Sequence, residues 1–126
     1  MDLNTPIVIN LNSKNVFSLS ETNHLLNVVN KITAKYQEKL NMVLNHVEQE
    51  GNPNTKAHLK MEAQNIIDEW NIKIKKLGAK PSGIWNADFD FGDGYYCWKY
   101  PEKTITHWHK YSEGFSKRKP VSTYLN

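Results

Sequence analysis

Cysteine is nearly absent: Cys97 stands alone among 126 residues, so no internal disulfide can staple the chain and a reducing, cytoplasmic setting is the expectation. Long apolar runs are missing too. No stretch approaches the ~20 residues that a membrane-spanning helix needs, and Met1 to Asn10 lacks the charged start and apolar run of a secretory signal. Excess charge is also small, with 16 Lys and Arg against 13 Asp and Glu. The one basic run, Lys117-Arg118-Lys119 before Pro120, is too short for a nucleic-acid footprint, so nucleic acid is disfavoured as a partner. Hydrophobic content of 39% and charged content of 23% match ordinary globular usage, and the length suits one domain with its own core.

Residues 1–16 read as an N-terminal tail whose apolar patch, Ile7-Val8-Ile9, would make an edge strand over Pro6 to Asn10. Residues 17–126 read as a single α+β domain. Ser18 precedes Glu21 by three positions, the spacing of a capping box, so a helix is expected to start there. Leu25, Val28, Val29, Ile32, Tyr36, Leu40, Val43, Leu44 and Val47 then recur at helical spacing on one face. The stripe stops at Gly51-Asn52-Pro53-Asn54. Thr55 is the expected cap of a second helix, whose stripe runs Leu59, Ala63, Ile66, Ile67, Trp70, Ile74 and Leu77 until Gly78 ends it. Two long helices joined by so short a loop should pack antiparallel, forming a hairpin over 18–78. His24, His46 and His58 fall at scattered polar positions and read as surface residues.

After Lys80-Pro81-Ser82 the period changes from 3.6 to 2. Trp85, Ala87, Phe89 and Phe91 alternate with Asn86, Asp88 and Asp90, and Asp93-Gly94 offers a tight hairpin turn. That turn would pair Phe91 with Tyr96, Phe89 with Trp98 and Ala87 with Tyr100, giving the hairpin an aromatic face and a polar one. Pro101-Glu102-Lys103 makes the next turn, and Thr104 to Lys110 reads as a third strand. Two registers are open. A two-residue loop would send His107 and His109 to the aromatic face; a three-residue loop would place Trp108 there and bring both histidines beside Cys97, Asp88 and Asp90. The second buries the larger apolar group, worth roughly 2 to 3 kcal/mol, and is preferred. The expected fold is thus a long antiparallel helical hairpin packed against a three-stranded antiparallel β-meander, which with the C-terminal segment occupies 83–126.

Three of the four Trp and three of the four Phe fall between Gly83 and Pro120, so recognition should centre there. Phe17-Ser-Leu-Ser-Glu-Thr-Asn23, Gly83-Ile-Trp85, Asp88-Phe89, Tyr96-Cys-Trp98, Ile105, Trp108-His109, Gly114-Phe115 and Arg118-Lys-Pro120 together resemble a bacterial domain-of-unknown-function family, number 2203. The likeness runs from Phe17 to Pro120. It implies a small cytoplasmic protein with paired helices and a short sheet, and supplies no catalytic roles; His107 stands where an aromatic or other residue is expected.

Two constellations could carry chemistry. Cys97, His107 and His109, with Asp90 behind, would offer thiolate, imidazole and carboxylate donors suited to zinc; the bland alternative is a hydrogen-bonded His109 and a small buried Cys97. His109, Glu113 and Arg118 could bind a small anionic ligand or a protein partner through the guanidinium fork and imidazole, or Glu113 and Arg118 could simply pair. No nucleophile sits beside an evident base. Asp88-x-Asp90-x-x-Asp93-Gly94 lacks the length and final acidic ligand of an EF-hand and is read as a turn. The function expected is a non-enzymatic binding module, the alternative a metal-dependent or His-assisted enzyme. A homodimer is expected because helices this long outrun a small sheet.

Overall fold

The computed structural model describes residues 16–122. Helix α1 spans Leu19–Gln49 and begins at the expected capping box: Ser18 Oγ accepts from the Glu21 backbone N–H, and Glu21 Oε1 accepts from that of Ser18. Helix α2 spans Pro53–Lys76, and its cap is Asn52 rather than Thr55. The Asn52 carboxamide oxygen accepts from Asn54 N and Thr55 N, while Pro53, whose φ is already helical and whose nitrogen needs no acceptor, occupies the first turn. Gly78, at φ 95°, closes α2: its N–H donates to Lys75 O, and Ala79 N donates back to Ile74 O. Only a residue free of Cβ strain takes that left-handed position readily.

The buried line of α1 runs through Thr22, Leu26, Val29, Thr33, Tyr36, Leu40 and Val43. It passes through two threonines, and Val28 and Leu44, counted in the stripe above, are exposed. Helical spacing places a stripe to within a residue, and packing selects its centre. On α2 the buried set is Ala63, Ile66, Trp70 and Ile74, all expected. His24, His46 and His58 are exposed, as expected.

Among the described residues the sheet has five strands, not three, in the order β1-β2-β3-β4-β5 with every neighbour antiparallel. They are β1 Lys80–Gly83, β2 Asn86–Asp90, β3 Tyr95–Lys99, β4 His107–His109 and β5 Lys119–Pro120. Both added strands contain proline, tolerated because each lies at a sheet edge. Trp85 belongs to the β1–β2 turn, at φ 65°, and not to a strand. Its buried ring meets Trp70 of α2 edge-on at 5.1 Å.

The β2–β3 turn centres on Gly92-Asp93 instead of Asp93-Gly94. Gly92 takes φ 103° and Phe91 N donates to Gly94 O, the arrangement of a turn with glycine first. The register consequently pairs Phe89 with Tyr96, Ala87 with Trp98 and Asp88 with Cys97, two residues from the expected pairing. A shift of two preserves the face of every side chain. Trp108 pairs with Tyr96 on the aromatic face, as preferred, but β4 is only three residues long, and Tyr100 to Thr106 form a longer connection than expected.

The aromatic face, with Ala87, Phe89, Tyr96, Trp98 and Trp108, joins the helices in one core. Phe17 meets Phe89 edge-on at 5.6 Å. Asn23 Oδ1 accepts from Ile105 N, and Asn30 Nδ2 donates to Glu102 O, fixing the β3–β4 connection against α1. The Pro6 to Asn10 strand lies outside the described residues.

Candidate functional site

Alternation along β2, β3 and β4 sends Asp88, Cys97, His107 and His109 to the face turned away from the helices. This face is expected to be wet, yet Asp88, Cys97 and His109 are 5%, 0% and 2% exposed. The C-terminal segment folds back over it. Tyr111 packs edge-on against Tyr95 at 5.1 Å and its hydroxyl donates to Asp90 Oδ1 at 2.6 Å, while Phe115 lies under the Lys99 ammonium and the Arg118 guanidinium.

Beneath this cover the donor atoms of Asp88, Cys97 and His109 all lie within 4.8 Å of one another. His109 Nε2 is 3.1 Å from Asp88 Oδ1, and Nδ1 is 2.8 Å from Lys110 O. A carbonyl oxygen only accepts, so Nδ1 carries a proton and Nε2 is the atom presented to the cluster. Burial pushes the Asp88 carboxyl up from its ordinary range, with His109 pulling the other way. Burial first, then the Asp88 carboxylate, push the Cys97 thiol up to about 12, opposed by the positive charge of Arg118. Arg118 is itself held by Glu102 at 3.2 Å.

Of the expected metal set, Cys97 and His109 meet and His107 does not. Although opposite Cys97 in the register, His107 bonds through Nδ1 to the Thr106 hydroxyl at 2.8 Å. Asp88 takes its place in the cluster. Asp90, expected behind Cys97, accepts from the Tyr111 hydroxyl and from Gly92 N. Asp88 could have been singled out only with the hairpin register in hand, since a turn centred one residue earlier sets it directly opposite Cys97.

The other expected set disperses. His109 turns to Asp88; Arg118 turns to Glu102; Glu113 accepts from Lys119 Nζ at 2.8 Å and from Lys110 N at 3.1 Å. Those two bonds, the Lys119 one first, hold the Glu113 carboxyl below the usual range. Glu113 and Arg118 therefore act on the C-terminal segment, each pinning one part of it.

The family model for an uncharacterized conserved protein, DUF2203, matches residues 15–121. The chain belongs to this family. No curated protein and no solved structure matches it. The match takes in both helices and all five strands of this DUF2203 member, with every residue of the buried cluster. Among the described residues no helix is long and apolar enough to cross a membrane.

Proposed function

We propose that this DUF2203 protein is a non-enzymatic binding module that works as a homodimer, assembled through the far part of its helical hairpin. One observation carries the reading. A groove of about 510 Å³ between α1 and α2 is lined by Lys39, Met42, Val43, His46, Glu62, Asn65, Ile66 and Glu69, beside the 60% exposed Met42.

The sheet and its turns meet the helices toward one end of the hairpin: Phe17 N, just before α1, donates to Asp90 O, Asn23 and Asn30 hold the β3–β4 connection, and Trp85 packs on Trp70 of α2. A helix of 31 residues extends about 46 Å at ~1.5 Å per residue, so the hairpin projects beyond them as an arm. Two helices alone can hide apolar surface only where they face each other. The groove also carries opposite charges on its two walls, Lys39 on α1 and Glu62 and Glu69 on α2. A two-fold axis parallel to the helices would set the α1 wall of one copy against the α2 wall of its partner, so the surface would complement itself. The occupant is therefore a second copy of the chain.

A free, buried thiol at Cys97 suits a reducing compartment, and supports a cytoplasmic location. Light scattering after size exclusion tests the dimer. The wild-type chain should have twice the monomer mass at micromolar concentration, Lys39→Glu should be monomeric, and adding Glu62→Lys to it should restore the dimer. A monomeric wild-type protein would sink the reading.

A further inference from the structure

We propose that Asp88, Cys97 and His109 form a three-donor site for one divalent transition metal of the zinc class. The site stands apart from the helical arm, and rests on geometry, donor chemistry and the groups behind the donors.

The donors come from three adjacent strands. Asp88 and Cys97 face each other across β2 and β3, and His109 follows on β4. Sheet pairing fixes all three backbones, so the donors start out gathered, within 4.8 Å of one another, with no loop to order. One sulfur, one imidazole nitrogen and one carboxylate oxygen suit zinc or cobalt; magnesium and calcium take oxygen donors, and two of these three are not oxygen.

The surroundings match what such a centre requires. His109 Nδ1 donates to Lys110 O at 2.8 Å, the outer bond by which metal-bound histidines fix ring orientation and aim the opposite nitrogen inward. The Arg118 guanidinium, anchored by Glu102, acts on Cys97 in the direction that favours the thiolate. In a space 0% to 5% exposed, the Asp88 carboxylate and a Cys97 thiolate disfavour each other. A dication between them reverses the sign: it offsets the carboxylate and the thiolate together, and the Cys97 proton leaves to solvent as the metal enters. A four-coordinate ion would keep one further position for a water or small anion.

The test uses the full chain, stripped of metal and titrated with cobalt(II), whose bond to sulfur gives a charge-transfer band in the near ultraviolet. The expected result is one cobalt per chain with that band, displaced by zinc. Cys97→Ser should abolish the band, Asp88→Asn and His109→Gln should each weaken binding at least tenfold, and His107→Ala should leave it unchanged. Because a buried substitution can unfold the chain, the wild type is also read alone: zinc should raise its Tm, and magnesium should not. Absence of the band in the folded wild type, a Tm indifferent to zinc, or binding lost in His107→Ala would each overturn the site.

Discussion

Trp70 Nε1 donates to Thr33 Oγ1 at 2.9 Å across the helical hairpin, and both residues are fully buried. The same hydroxyl donates to Val29 O at 2.7 Å one turn back, so its proton and one lone pair are both used. The bond ties the register of α1 and α2 to the indole that carries Trp85 and the β1–β2 turn.

Thr33→Val keeps the shape and removes the acceptor. It should destabilise by about 1 to 3 kcal/mol, because a buried indole N–H is left without a partner. Thr33→Ser should cost less. In Trp70→Phe the donor is already gone, so adding Thr33→Val there should cost less than it does in the wild type. Urea unfolding of the four chains reads this as a double-mutant cycle, and additive losses would show the bond to contribute nothing.

Two glycines of the β2–β3 turn should respond differently to alanine. At Gly92 a Cβ has room, its nearest neighbour lying 3.9 Å away on Val16, and the penalty is the φ of 103°, about 1 to 2 kcal/mol. At Gly94 a Cβ would stand 2.6 Å from the backbone oxygen of His109. Gly94→Ala must push β3 from β4 and should be the more destabilising of the two in thermal melts. It should also weaken the cobalt complex, since His109 moves with its strand.

Cys97 is 0% exposed and its thiol is pushed up to about 12, by burial first. The native metal-free protein at pH 8 should therefore react with a thiol reagent at least a hundredfold more slowly than the same chain in denaturant, because the nucleophile is the thiolate. Rapid native labelling would mean that the C-terminal cover opens readily.

The Tyr111 phenol is also pushed up to about 12, chiefly by its hydrogen bond to the Asp90 carboxylate. Ionising it would set a second anion against Asp90, so the neutral form is favoured. Asp90→Asn should bring the midpoint down toward the ordinary tyrosine value near ~10 in an ultraviolet titration. An unchanged midpoint would show that the bond does not hold the segment in solution.

Local chemistry made the helical half of the chain legible. Ser18 with Glu21, the apolar spacing through Tyr36 and Val43, and Gly78 are decided by neighbours three or four residues away, and each forms as read. The cap moved from Thr55 to Asn52 within the same turn, since Pro53 settles the first helical position. Faces in the sheet were also legible, because alternation survives a shift of two: Trp108 joins the core, and Cys97 and His109 share the other side.

Tertiary structure decided what sequence spacing could not. Whether Gly92 or Asp93 starts the β2–β3 turn sets the cross-strand partner of Cys97, and that choice exchanges Asp90 for Asp88. Strands as short as Lys80–Gly83 and Lys119–Pro120 carry no period of their own and exist only because a neighbouring strand offers bonds. The burial of the cluster, and with it the raised thiol, depends on a C-terminal segment whose contacts to Asp90, Tyr95 and Cys97 span 21, 16 and 21 residues. The sequence by itself determined the two helices, the three central strands and the faces of those strands, through interactions within a few residues. The fold alone determined which polar residues meet, because pairing over such separations depends on the whole core that brings the strands together.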